Sequence, residues 1–139
     1  MTKTLHLEND IAQVPLLAQW VEMLGEELML PMPAVFQLNL ALEEAVVNVM
    51  NYAYPDESGM PVELEAKTDE SSDTICFVLS DEGVAFDPTQ QDDPDITLSA
   101  EERNIGGLGI FLVQQMMQSV AYERSGGKNI LTMIYKVER

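Results

Sequence analysis

Two hydrophobic periods take turns along the chain, and their order predicts its elements. Thr4-Leu5-His6-Leu7 alternates polar with apolar and reads as a short first strand. Asp10 offers an N-cap, Pro15 suits the first turn of a helix, and Val14, Leu17, Val21, Leu24 and Leu28 then recur at helical spacing. Pro31 and Pro33 punctuate. A second helix follows from Ala34 to about Tyr52, with Val35, Leu38, Leu42, Val46 and Val49 on one stripe. Pro55-Asp56-Glu57-Ser58-Gly59 reads as a turn, Val62, Leu64 and Ala66 as a half-buried strand, and Thr74 to Ser80 as a continuous apolar strand in the middle of a sheet. Residues 88 to 105 are irregular and acidic, with the length of a lid or binding loop. Gly106-Gly107-Leu108-Gly109 opens a third helix through about Met117. The chain then ends in a hairpin, Val120 to Arg124 and Ile130 to Val137, around the turn Ser125-Gly126-Gly127-Lys128-Asn129. The sum is an α+β two-layer sandwich, helices on one face of a mixed, mostly antiparallel sheet, forming one domain over residues 1–139.

Composition narrows the function classes. The chain is 46% hydrophobic and 22% charged, the balance of a folded protein with a core of its own. Its 24 acidic and 7 basic residues leave a net charge of −17, which argues against nucleic acid and against anionic membrane surfaces as partners. Such a charge serves solubility or a basic patch on a protein partner. Cys76 has no second cysteine to pair with and lies in the apolar run Ile75–Leu79, so a buried, inert thiol in a reducing compartment is expected. No segment is apolar enough to span a membrane and the N-terminus has no apolar signal core, so the expected location is the cytoplasm. Met23, Met29 and Met32 read equally well as core fillers and as contact points.

Three short patterns carry chemistry. Glu44 and Asn48 are i, i+4 neighbours on the side of the second helix away from its apolar stripe. A carboxamide oxygen can ligate Mg²⁺, and a carboxylate one turn away can orient and deprotonate an attacking hydroxyl. A solvated helix face explains the same pair more plainly. Glu43 is an internal comparison, since Val47 stands where an amide would be needed. Next, Asp81-Glu82-Gly83-Val84-Ala85-Phe86-Asp87-Pro88 places an acid at the end of a buried strand, able to accept from the exocyclic amine of adenine, with Gly83 letting the backbone pass close to a flat base. An ordinary strand-ending turn would look similar. Last, Gly106, Gly107, Leu108 and Gly109 precede a helix, where backbone N–H groups and the helix dipole favour phosphate. The pattern is neither GxGxxG nor a P-loop. Each alone is weak; the order helix, acid-ended strand, lid, glycine loop is more demanding.

In that order the chain resembles the Bergerat-type ATPases. Leu42-Glu43-Glu44-Ala45-Val46-Val47-Asn48 is similar to their N-box, Asp81 to Pro88 to the G1 box and Gly106-Gly107-Leu108-Gly109-Ile110-Phe111-Leu112-Val113 to the G2 box. The Asp-x-Gly-x-x-Phe-Asp-Pro form points to the anti-sigma-factor serine/threonine kinases. The resemblance implies transfer of the ATP γ-phosphate to a STAS-domain anti-anti-sigma protein, together with binding of a sigma factor. It assigns Glu44 as base, Asn48 as Mg²⁺ ligand, and Asp81 with Gly83 as adenine readers. The glycine loop would steady the phosphates, and Thr132 would lie near the adenine. Members often form homodimers, although no interface signature stands out here. Two departures are visible: Tyr52 stands where many members have His, and Ile105 where some have Arg, leaving Arg103 as the nearest cation. His6 lies apart from every motif, against a phosphohistidine role. A different class, a nucleotide-binding module that acts only by sequestering a sigma factor or other regulator, carries the same motifs without transfer.

Overall fold

The computed structural model describes residues 1–54, 59–69, 73–90 and 107–138. Strand β1 (Thr2–Glu8) leads through a 3-10 turn (Ile11–Gln13) into helix α1 (Val14–Glu27), and α2 spans Met32–Tyr52. Strands β2 (Pro61–Thr68) and β3 (Thr74–Asp81) follow. A second 3-10 turn (Pro88–Gln90), helix α3 (Gly107–Met116) and the hairpin β4 (Ser119–Ser125) and β5 (Lys128–Lys136) complete the order. The five strands are arranged β1-β2-β3-β5-β4, and all four pairings are antiparallel where the sequence left room for parallel ones. The Asp10 side chain accepts from the Ala12 N–H, capping the 3-10 turn ahead of α1 rather than α1 itself.

The sheet has a covered and an uncovered face. Leu7, Val62, Leu64, Ala66, Ile75, Phe77, Leu79, Leu131, Met133 and Tyr135 are buried against α1, α2 and α3. Because strand side chains alternate, the intervening residues of β3 and β5 go to the other face. Cys76 is among them. It is half-buried on the uncovered side, not enclosed in the core as the apolar run implied. Met23, Met29 and Met32 are exposed, so they are not core fillers. The hairpin turns on Gly126 and Gly127 alone, whose φ values of 60° and 76° are those a two-residue turn with twist-matched strands requires. Among the described residues no helix is long and apolar enough to cross a membrane.

Helix α2 is the structural axis. Leu38, Leu42, Val46 and Val49 are buried as the stripe predicts, and Val35 half-buried. Ala34, Ala41 and Ala45 are also buried. At 100° per residue these alanines widen the buried arc toward Asn48. The helix therefore carries an amide into the interior on its own edge, between the sheet and α3.

Candidate functional site

A pocket opens where α2, the ends of β3 and β5, and α3 converge. Its wall includes Asn48 and Ala45 from α2, Asp81 and Leu79 from β3, Asn129 and Leu131 from β5, Tyr122 from β4, Ile110 from α3, and Phe86 with Pro88 from the segment after β3. The structure thus brings Asn48 and Asp81, 33 residues apart in sequence, into one wall. The enclosed space is about 20 Å³, room for roughly one water.

Asn48 is only 5% exposed, which removes the solvated-face explanation for it. Its Nδ2 is buried and has no hydrogen-bond partner among the described residues. Leaving a buried polar atom unpaired costs about 1–3 kcal/mol. Which end of a carboxamide is N and which is O follows from the hydrogen-bond network, so a half-turn of this side chain presents Oδ1 instead. Either way Asn48, a residue of the pocket wall, keeps donor or acceptor capacity to spare. Glu44, one turn earlier, is half-buried and is not part of the pocket wall. Burial, and second the adjacent Glu43 carboxylate, push the Glu44 carboxyl above its ordinary range.

Asp81 occupies the last position of β3, in phase with Ile75, Phe77 and Leu79, so its carboxylate lies on the helix-covered side and is 4% exposed. Oδ1 accepts from the Gly83 N–H and from Asn129 Nδ2, each at 2.9 Å. Burial pushes this carboxyl up, while the bonds from Asn129 and Gly83 and the nearby Arg124 guanidinium pull it down. Packing by itself requires glycine at position 83. A Cβ there would sit 2.7 Å from the carbonyl carbon of Ala53, and still closer to its oxygen, at the end of α2. The Val84 N–H donates to that same Ala53 carbonyl at 2.9 Å. The Tyr54 hydroxyl donates to Pro61 O and accepts from the Glu82 N–H, at 2.9 and 2.6 Å. Beyond the turn, the Phe86 ring stacks on Tyr52, with centroids 5.1 Å apart and planes 19° from parallel. Tyr52, a departure from the family pattern, therefore helps hold a pocket wall.

Asn129 is the residue sequence reasoning missed. It is 5% exposed and faces Asp81 in the β3–β5 register. Its Nδ2 donates to Asp81 Oδ1 and to the Val84 carbonyl, at 2.9 and 2.8 Å. Its Oδ1 accepts from Tyr122 OH at 2.5 Å, the Phe86 N–H at 3.1 Å and Arg124 Nη1 at 3.2 Å. The same Arg124 nitrogen donates to the Gly83 carbonyl at 2.8 Å. Thr132, expected near the adenine, is not in the pocket wall. It lies between buried Leu131 and Met133 in sequence and so points to the uncovered face of the sheet. Gly107, Leu108 and Gly109 form the first backbone turn of α3, which starts at Gly107. Gly106, the acidic stretch from Asp92 to Glu102, Arg103 and Ile105 lie outside the described residues. His6 sits on the edge strand, 3.3 Å from Glu63. No group of three or more His, Cys, Asp or Glu residues placed to hold a metal ion occurs among the described residues.

Comparison with known proteins adds to this geometry. The family model of the histidine kinase-like ATPase domain matches residues 7–135. The serine/threonine-protein kinase BtrW of Bordetella bronchiseptica is 30% identical over 98 residues, covering 70% of this chain and 68% of that protein. The serine-protein kinase RsbW of Listeria monocytogenes is 30% identical over 110 residues, 76% of this chain and 69% of the relative. The crystal structure of the RsbU and RsbW domains of Rv1364c from Mycobacterium tuberculosis superposes with a TM-score of 0.67 at 12% identity. That match takes in 99% of this chain and 33% of the other, and at such low identity it speaks for the fold alone.

Proposed function

We propose a function from one premise: the chain belongs to the histidine kinase-like ATPase family. Within it the chain is an ATP-dependent serine/threonine protein kinase of the RsbW and BtrW kind. The residues we assign to the reaction, the metal, the acceptor and the regulatory partner are our reading.

Adenine enters between Asp81 and the apolar wall of Leu79, Ile110 and Leu131. Asp81 accepts from its exocyclic amine. Asn48 would hold Mg²⁺ together with the nucleotide, and the unpartnered, buried end of Asn48 is the observation that carries this assignment. When bound, the ion neutralises charge that builds on the phosphates during transfer. The backbone N–H groups at the start of α3, from Gly107 to Gly109 with Gly106 before them, steady the phosphates. The Glu44 carboxylate then accepts the proton of a serine or threonine hydroxyl whose oxygen forms a bond to the γ-phosphorus. The bond from that phosphorus to the bridging oxygen breaks and ADP leaves.

The acceptor is a STAS-domain anti-anti-sigma protein, and the kinase holds a sigma factor as its second, competing partner in the cytoplasm. The experiment is transfer of labelled γ-phosphate to the cognate STAS protein by wild type and Glu44→Ala. The variant is expected to bind ATP nearly as wild type does and to lose transfer by roughly 10²–10⁴-fold, the usual worth of a general base. Wild-type transfer by Glu44→Ala would remove Glu44 from its role. Absence of any STAS acceptor for the wild type would remove the partner assignment.

A further inference from the structure

We propose that Asn129 is the positioning residue that makes this pocket select adenine, by holding Asp81 so that one carboxylate oxygen is engaged and the other stays free to accept from the base. This rests on the reading of the pocket as the adenine site. Asp81 Oδ1 is filled by the Gly83 N–H and Asn129 Nδ2. Oδ2 takes no partner among the described residues. A carboxylate pinned through one oxygen cannot swing to pair the second elsewhere.

What makes Asn129 suited to the task is that it has no freedom of its own. Both Nδ2 hydrogens are used, one on Asp81 and one on the Val84 carbonyl, which accounts for the whole donor capacity of an amide. Its Oδ1 is fixed from three directions, by Tyr122, Phe86 and Arg124. A rotation of the carboxamide would set Nδ2 against two obligate donors, the Phe86 N–H and the Arg124 guanidinium, and Oδ1 against two acceptors. The donor is therefore locked toward Asp81. The same side chain ties the Val84–Phe86 segment, one wall of the pocket, to the β4–β5 hairpin. It thereby couples the acid that reads the base to the wall that covers it.

The specificity follows from donor and acceptor matching. Adenine offers an amine where guanine offers a carbonyl oxygen. A fixed carboxylate oxygen accepts from the first and repels the second. A protonated carboxyl loses that distinction, because its O–H can turn toward guanine, and an ionised carboxylate that rotates freely no longer holds an oxygen where the adenine amine arrives. Asn129 acts through Asp81 and touches no reacting atom.

The test measures dissociation constants for Mg·ATP and Mg·GTP by calorimetry on the full chain, in wild type, Asp81→Asn, Asn129→Asp and Tyr122→Phe. Asn129→Asp is nearly isosteric and keeps the acceptor toward Tyr122, Phe86 and Arg124, but replaces the donor to Asp81 with an acceptor. It is expected to weaken ATP about tenfold or more, the worth of one hydrogen bond to a charged group, and GTP by less than about threefold. Tyr122→Phe removes a single bond from the carboxamide oxygen and leaves Asp81 untouched. Its ATP-to-GTP preference is expected to fall by about two- to threefold. If Asn129→Asp does not fold, Tyr122→Phe decides the matter. Equal weakening of both nucleotides, or an unchanged preference in the variants that fold, would overturn the proposal and leave Asn129 a structural tie only. Asp81→Asn is the separating control. If it binds ATP as wild type does, the adenine-site reading fails; if it loses ATP while the Asn129 and Tyr122 variants keep their preference, only the role of Asn129 fails.

Discussion

Glu44 and Asp81 are both carboxylates shifted upward by burial, but the consequences differ. For Glu44, in the role of general base proposed above, the shift bears on rate. A general base works only when ionised, so a raised pKa moves the acid limb of the rate profile to higher pH than an ordinary glutamate, 4.5, would give. Glu43 is the second cause of that shift, so Glu43→Gln is expected to move the limb toward lower pH with little change in the plateau. A pH series of kcat/KM checks this. For Asp81 the shift bears on stability. The folded state holds the proton more tightly than the unfolded chain, whose carboxyl titrates near 3.8. Stability from this source is fully present below that value and is lost as pH rises through the folded pKa. Asp81→Asn keeps the acceptor for Gly83 and Asn129 and removes the buried charge. At pH 7 it is expected to melt at the wild-type temperature or above while its nucleotide affinity falls. A lower melting temperature at pH 7, with no such deficit near pH 3.5, would reverse this account.

Two glycines mark the junctions that position the elements, and they differ in what stands opposite. At Gly83 a methyl group would strike the backbone carbonyl of Ala53 at the end of α2. That carbonyl already accepts from the Val84 N–H and cannot retreat without freeing it. Gly83→Ala is therefore expected to cost at least the upper part of the 1–3 kcal/mol typical of overpacking, and to weaken nucleotide binding with it. At Gly25 the nearest atoms to the added methyl all belong to the Val35 side chain, Cγ2 at 2.6 Å and Cβ and Cγ1 at 3.8 Å, between α1 and α2. Valine is stiff at χ1 in a helix, so relief needs a small shift of α2 against α1, offset in part by the about 0.5–1 kcal/mol that alanine gains over glycine in a helix interior. Gly25→Ala is therefore expected to cost less than Gly83→Ala, where backbone stands in the way. Urea titrations of both variants make the comparison.

The same elements show what was legible in the sequence. The stripe on α2 was plain because leucine and valine recur without interruption at helical spacing. The burial of Asn48 was not, since the alanines that extend the buried arc to it carry little hydrophobic signal. On β5 both faces read as apolar, Ile130 and Ile134 on one and Leu131, Met133 and Tyr135 on the other. Alternation alone therefore could not say which side Thr132 takes, and a one-residue choice of phase decides it. In the sequence Asn129 reads as the last residue of the glycine turn Ser125-Gly126-Gly127-Lys128-Asn129. The turn is in fact two residues long, and the strand begins at Lys128. That small shift in an element boundary separates a loop residue from the centre of the pocket's polar network.

At the scale of the whole molecule the dominant fact is a net charge of −17 around a pocket meant for a polyanion. Arg124 is the cation the described structure places at the pocket network, and its guanidinium is engaged with Gly83 and Asn129. On the reading proposed above, the remaining attraction for phosphate comes from the backbone at the start of α3 and from the metal assigned to Asn48. In a pocket lined by lysine and arginine, salt weakens ATP binding by screening attraction. Here the long-range term is repulsive, so screening should act in the opposite sense. With metal removed by EDTA, raising salt from about 0.01 M to 0.15 M shortens the Debye length from about 30 to 8 Å. Over that range the affinity for free ATP should hold steady or improve. The same change should slow association with a basic protein partner, whose approach the acidic surface accelerates at low salt. Calorimetric titration of ATP in EDTA and stopped-flow mixing with the partner read the two arms. A fall in free-ATP affinity with salt would mean that a cationic cluster dominates the site after all, and the metal and backbone would lose the role given them.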